Sequence, residues 1–359
     1  MSSMPAKRPH VEIMDELKRR LNSIADIIPK DRPIIYLDYP MHGNVGDLLI
    51  HAGTDRFFAA TGYEVIGHFS IHEFCLTHRR GKPLVFFKDS VRRLDDLVRT
   101  GATIVFHGGG NLGDLYRDYQ MFRELVIARY PDAPIVLLPQ SIHFEDPANR
   151  AAVAKLFAAH PHLYIFARDR ESLEFARNDC GCPAALMPDM AHALWGSLPR
   201  PHGGADSLLN FRRRDKEATG ASAYASGTFD WDDLVSASDR GMIRLLRKMQ
   251  SIEFSSRHVV PNHVLWRWYR DRLLRRSVEF IGSYGRIVTD RLHGMILGSL
   301  LDMPVAFEDN SYGKLSRYYS EWLSASDHID QHRRQQTLRA EAAAPEATSA
   351  TGEVKQYGT

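Results

Sequence analysis

The sequence is poor in the features that would place it quickly. Three cysteines in 359 residues, Cys75, Cys180 and Cys182, are too few for a disulfide framework, and a lone Cys-x-Cys lacks the second ligand pair of a zinc site. Reduced thiols in the cytoplasm are the reading this leaves. No apolar run approaches the roughly 20 residues that span a bilayer. Residues 1–9 carry no apolar core of a secretory signal, so export is not expected. A net charge of +2 sets up no field of one sign over the molecule, which speaks against a nucleic-acid partner. No His, Asp, Glu or Cys cluster has metal-ligand spacing, so neither a metal nor a bound cofactor is expected. There is no internal repeat. No G-x-G-x-x-G triplet follows an early strand, which disfavours a nicotinamide dehydrogenase.

What is present is ordinary globular composition, 44% hydrophobic and 25% charged, in a chain long enough for two domains with a core each. Residues 11–28 place Ile13, Met14, Leu17, Leu21, Ile24 and Ile28 at helical spacing, predicting an amphipathic leading helix within residues 1–32. Short apolar runs at 34–39, 64–69, 84–87, 103–107, 135–140, 163–168 and 184–188 then alternate with amphipathic stretches such as 89–99 and 116–130. That alternation predicts a doubly wound, largely parallel α/β domain over 33–198. Two prolines and two glycines at 199–204 fit a linker. A smaller, less regular α/β domain is expected over 205–326, opening with a strand at 207–212 and closing with a strand-helix-strand unit at 286–290, 292–301 and 304–309. Residues 221–239 are polar and irregular, and 261–281 read as a helix bearing Trp266, Trp268 and Tyr269 among arginines. Residues 327–359 have no apolar period and are expected to be a disordered tail.

The chemistry-bearing segments follow strands. His42-Gly43-Asn44-Val45-Gly46-Asp47 lets the backbone turn sharply into a helix whose first amides can face an anion or a sugar hydroxyl. Equally, it is a tight turn capped by Asn44 or Asp47. Gly108-Gly109-Gly110-Asn111-Leu112-Gly113-Asp114 is a second such loop, and Gln140-Ser141 follow a further strand. In an open α/β sheet, ligands bind at the carboxyl ends of the strands. Asn44, Asp47, Asn111, Asp114, Gln140 and Ser141 together suit a polyhydroxylated ligand such as a sugar.

The second half contributes cations, the Arg212-Arg213-Arg214 run and Asp290-Arg291-Leu292-His293 where a strand passes into a helix. Arginine grips a carboxylate or phosphate bidentately, and a helix N-terminus reinforces it. His293 could exchange protons near neutrality, with Asp290 orienting it. A solvated arginine face and a buried capping histidine are the plainer alternatives.

The loops HGNVGD and HGGGNLGDLY, with PQSIHF, ARDRES, MPDMAHAL, TDRLHG and DNSYGKL, follow one another in an order and spacing that resemble the polysaccharide pyruvyltransferases over nearly the whole folded chain. The resemblance implies a fold similar to the GT-B glycosyltransferases, two facing Rossmann-like domains with the site between them. It also implies phosphoenolpyruvate as donor, a glycan or lipid-linked oligosaccharide as acceptor, and a pyruvate ketal as product. Arg291, Leu292 and His293 match the donor-binding Arg-Leu-His of that family, and Arg213 is the choice for the upstream arginine. His293 and Asp290 are the expected catalytic pair, with Asp47 or Asp114 as base. The aromatic and basic helix at 261–281 suits peripheral contact with the inner membrane face. A nucleotide-sugar glycosyltransferase would share the fold but would need a nucleotide pocket whose acidic signature is absent. A non-catalytic glycan-binding protein would not need Arg291 and His293 to converge.

Overall fold

The computed structural model describes residues 6–76, 85–86, 88–199, 204–214, 228–251, 261–309 and 313–331. Among them the strands are β1 (Ile34–Leu37), β2 (Val65–Phe69), β3 (Cys75–Leu76), β4 (Val85–Phe86), β5 (Thr103–Phe106), β6 (Gly109–Gly113), β7 (Ile135–His143), β8 (Leu163–Ala167), β9 (Ala184–Leu186), β10 (Gly204–Phe211), β11 (Tyr284–Thr289), β12 (Val305–Phe307) and β13 (Ile329–Gln331). The larger sheet runs β2-β1-β5-β7-β8-β9 with β6 added beside β7, and a four-stranded sheet runs β10-β11-β12-β13. Every pairing in both sheets is parallel. The chain is thus a mixed α/β protein of two Rossmann-like sheets, as the alternation of apolar runs and amphipathic stretches predicts.

The helices between them are α1 (His10–Leu21), α2 (Val45–Thr61), α3 (Lys88–Val98), α4 (Arg117–Arg129), α5 (Pro147–Ala158) and α6 (Arg170–Glu174). In the second half they are α7 (Trp231–Leu234), α8 (Ala237–Ser251), α9 (Asn262–Ile281), α10 (Leu292–Leu300) and α11 (Lys314–Tyr318). Their ends follow local chemistry. Asn44 caps α2 by accepting from the Gly46 amide at 3.1 Å, and Gly62 ends it in a left-handed conformation. Such a cap is worth about 1 kcal/mol. Asp146 caps α5 ahead of Pro147, where a missing N–H costs nothing.

Three expectations are corrected. The run at 84–87 does not join the main sheet: its described part, β4, pairs antiparallel with β3. The glycine-rich stretch after β5 is not a free loop but forms β6, paired with β7. Gly113 there has φ 128°, and a Cβ on it would lie 1.7 Å from the His143 carbonyl oxygen, so the pairing admits no side chain. Ile329–Gln331, expected in the tail, pairs with β12 and completes the smaller sheet. The rest of the tail, the middle of the proposed linker and part of the 221–239 stretch lie outside the described residues.

The two halves are not independent bodies. One apolar cluster runs from Leu48 and Leu49 on α2 through Met190 to Phe211, Trp266 and Met295 of the second half. A separate cluster covers the other face of the larger sheet. Helix α2 is buried on nearly all sides, and a Cβ at Gly53 would meet the Met190 carbonyl oxygen at 2.1 Å. The leading helix buries Ile13, Met14, Leu17 and Leu21 as its spacing predicts. It is pinned to both halves: Arg8 N donates to Ala325 O at 2.6 Å, and Trp195 Nε1 donates to Asp15 at 2.8 Å.

Register then positions the site. Phe211, Thr289 and Phe307 lie side by side at the ends of β10, β11 and β12. Leu37 lies beside Phe106 at the ends of β1 and β5. The segments that follow emerge along one edge of each sheet, and the two edges face each other.

Candidate active site

Between those edges lies a cleft of about 330 Å³. Asn44, Asp47 and Asn111 line it from the first half; Arg213, Arg291, Leu292 and His293 line it from the second. Six of these seven follow the ends of β1, β10 and β11, and Asn111 lies within β6.

On the first wall, Asn44 both caps α2 and lines the cleft. Asp47 sits one turn into the helix, with His42 Nε2 3.5 Å from its carboxylate. Burial pulls the His42 pKa down against the pull of Asp47. Asn111 is held from behind by Arg123, which donates to its side-chain oxygen at 2.6 Å and to its carbonyl oxygen at 3.2 Å. Asn111 therefore offers a ligand its amide N–H groups. Arg123 in turn pairs with Asp38 at 2.8 Å, both fully buried, and Asp38 adopts φ 66° just beyond β1. The ion pair fixes the segment after β1 against β6.

Three of the expected acceptor residues do not line the cleft. Asp114 accepts from the amides of Glu145 and Asp146, both at 2.9 Å, and so ties β6 to the start of α5. Gln140 is fully buried and donates to the His107 carbonyl oxygen at 2.5 Å. Ser141 donates to Asp169 at 2.8 Å and accepts from Arg168 at 3.1 Å. Asp114 follows β6, whereas Gln140 and Ser141 lie within β7 rather than after it, and all three turn their hydrogen bonds inward to the protein.

On the second wall the arginine run divides by partner. Arg212 grips Glu308 bidentately at 2.9 and 3.1 Å, and Arg214 pairs with Asp233. Arg213 is the one of the three on the cleft wall. Arg291 reaches Asp230 at 2.5 Å, and Leu292 and His293 open α10. Asp290 does not orient His293. It is buried and accepts from the Arg213 amide at 2.8 Å, setting the backbone of that arginine. Burial raises its pKa against that amide and the neighbouring arginines.

The carboxylate beside His293 is Asp189, from the first half, 3.4 Å from Nε2. Asp189 is fully buried, accepts from the Ala191 amide and forms an ion pair with Arg168. Burial works against its charge, yet Arg168, His293 and the Ala191 amide outweigh it and hold the carboxyl well below the usual range. Asp189 is thus a buried carboxylate placed against the ring of His293. Gly46 completes the contact, since a Cβ there would lie 2.5 Å from His293 Nδ1. Arg168 and Asp189 follow β8 and β9 within the ARDRES and MPDMAHAL segments, and their place at strand ends was the signal available for them. Tyr119, Trp231 and Lys314 also line the cleft and carried no such signal.

Arg168, Arg213, Arg291 and Lys314 line the cleft with Asp47, and Asp189 and Asp230 stand behind Arg168 and Arg291. Guanidiniums and an ammonium converging on one cleft suit an anion. A model of the polysaccharide pyruvyl transferase family matches residues 44–312, which carry both walls of the cleft. The chain belongs to that family. Among similar proteins, "Putative pyruvyl transferase EpsO" of Bacillus subtilis is 35% identical over 328 residues, covering 89% of this chain and 95% of that protein. "Pyruvyl transferase 1" of Schizosaccharomyces pombe is 26% identical over 304 residues, 81% of this chain and 70% of that protein. "General stress protein 30" of Bacillus subtilis is 26% identical over 305 residues, 83% and 80% of the two chains. Family membership makes this a transferase of pyruvyl groups in polysaccharide biosynthesis. Among the described residues, no helix is long and apolar enough to cross a membrane.

One described cluster has metal-ligand geometry, His10, Asp302 and His328. It lies at the far end of α10 from the cleft. His10 already has Ser326 Oγ at 2.7 Å and the Ser299 carbonyl oxygen at 2.8 Å on its two ring nitrogens.

Several histidines are held neutral by burial. Burial lowers the pKa of His68 and His72 to about 3 and of His192 and His263 to about 4, and also depresses His51 and His107. Unfolded histidine titrates near 6.5, so below that pH the unfolded chain binds protons that the native chain refuses, and stability falls as pH falls. Asp38 and Glu73, raised to about 7 by burial, and Asp290, also raised, act in the opposite sense, but they are three groups against eight, since burial lowers His10 and His42 as well. For fully buried His192 the slope approaches roughly 1.4 kcal/mol per pH unit down to about pH 4. Urea midpoints are expected to decline steadily from pH 6.5 to 4.5; a flat or rising midpoint would contradict this assignment.

Proposed function

We propose that the cleft binds phosphoenolpyruvate and transfers its pyruvyl group to two hydroxyls of a glycan or lipid-linked oligosaccharide, forming a ketal and releasing phosphate. The observation that carries the reading is the convergence of Arg213, Arg291 and His293 opposite Asn44, Asp47 and Asn111 on one cleft. The two arginines hold the carboxylate and phosphate of the donor, and the first amides of α10 add partial positive charge. His293 gives a proton to C3, and the positive character at C2 is met by the first sugar hydroxyl, whose proton passes to Asp47. The C2–O bond to phosphate then breaks, the second hydroxyl closes the ketal, and its proton leaves with the phosphate. Asp189 takes the orienting role first expected of Asp290. No metal and no cofactor enters this scheme.

Peripheral contact at the inner membrane face fits α9, which buries Trp266 and leaves Trp268 66% exposed. Loss of salt-sensitive sedimentation with anionic vesicles in Trp268→Ala is its readout. Phosphoenolpyruvate is expected to raise the melting temperature of the protein and nucleotide sugars to leave it unchanged, because only a ligand of the native state stabilises it. Stabilisation by a nucleotide sugar alone would favour the glycosyltransferase reading instead.

A further inference from the structure

A second depression of about 340 Å³ opens directly beside the cleft, and the two share His42, Asn44, Trp231 and Arg291 on their common wall. Its outer wall is one face of α8. Arg240, Arg244 and Arg247 stand there at i, i+4 and i+7, the spacing that stacks side chains along one face. Val235 and Ile243, both buried, form an apolar floor between them.

Helix-face arginines are normally matched by acidic neighbours. Among the described residues, none of these three forms an ion pair, although pairs surround them: Asp239 is taken by Arg276, Asp233 by Arg214 and Asp230 by Arg291. Asp232 is the one carboxylate on the rim, and it is exposed. Arg247 is half-buried and anchored through Nε to the Met41 carbonyl oxygen. Burial lowers its pKa. Three unpaired guanidiniums in a concave site, one of them already desolvated, are a receptor for an oxyanion.

We propose that this α8 depression is a second anion subsite, occupied together with the donor cleft, and that it holds a phosphate-class group carried by the acceptor. The assignment rests on the donor and acceptor reading above for the word acceptor, but not for the site itself. It makes the substrate an acidic glycan whose charged group docks on α8 while its hydroxyls reach past Asn44 to C2 of the donor.

The test uses the full chain and inorganic diphosphate as the probe, titrated calorimetrically with and without saturating phosphoenolpyruvate. Diphosphate is expected to bind in both conditions. In Arg240→Gln/Arg244→Gln its Kd is expected to rise about tenfold or more, since each charge-assisted hydrogen bond lost is worth roughly 1.5–3 kcal/mol. Phosphoenolpyruvate affinity, measured in parallel, is expected to stay within about twofold, which also shows that the variant is folded. Competition between the two ligands, no saturable diphosphate binding, or an unchanged Kd in the variant would each overturn the subsite. Glucuronate and anionic vesicles form the comparison arms. Binding of either one to wild type in preference to diphosphate, lost in the variant, would overturn the phosphate assignment in favour of a uronic acid or a lipid surface. Diphosphate binding without any phosphoenolpyruvate binding would leave the subsite standing and refute the donor reading.

Discussion

Replacing His293 by alanine is expected to lower turnover by about 10²–10⁴-fold, the usual worth of a positioned general acid, in a protein that still folds. The side chain is 14% exposed and begins α10, so its loss removes little core, and Gly46 beneath it gains room rather than a clash. The donor should still bind through Arg213 and Arg291. The effect is therefore expected chiefly in kcat, with a smaller rise in KM for phosphoenolpyruvate. Conservative replacement of its neighbour, Asp189→Asn, keeps the shape but removes the carboxylate 3.4 Å from Nε2. That variant is expected to lower kcat rather than abolish activity. Near-normal turnover in folded His293→Ala would remove the histidine from proton transfer.

The second large effect is expected at Arg168. Its guanidinium and the Asp189 carboxylate are 2% and 0% exposed, and deleting one partner of a buried pair costs about 3–5 kcal/mol because the other charge is left uncompensated. Arg168→Met should lower the melting temperature by several degrees. It should also depress activity, because Asp189 would lose the partner that holds it against His293. Arg168→Met/Asp189→Leu removes both charges and is expected to recover part of the stability but none of the activity. Melting curves and turnover for the two variants check this. Equal instability in the single and double variants would show that packing, not charge, is what the pair supplies.

Much of this arrangement was legible in the sequence because it depends on local periodicity. Alternating apolar runs located the strands of the larger sheet, and strand ends located Asn44, Asp47, Asn111, Arg291 and His293. What was not legible depends on contacts distant in the chain. Asp290, adjacent to the Arg-Leu-His segment, was the natural partner for His293 by proximity in sequence; the structure instead brings Asp189 from more than a hundred residues away. Asp114, Gln140 and Ser141 resemble site residues in type, but backbone amides, the His107 carbonyl oxygen and the Asp169 side chain engage them. Glycine composition suggested a ligand-facing loop at 108–114, whereas close backbone approach to β7 makes Gly109–Gly113 a strand. Arg123 and Asp38 gave no motif, yet their ion pair holds Asn111.

The central claim is that one cleft, formed by both halves of the chain, moves a pyruvyl group from phosphoenolpyruvate to a glycan. Its most direct test is phosphate release from phosphoenolpyruvate by the purified protein, with and without a lipid-linked oligosaccharide extract of the source organism, beside Arg291→Ala. The account predicts release that depends on the extract and is abolished in the variant. Release that needs no acceptor, or that persists in Arg291→Ala, would contradict it.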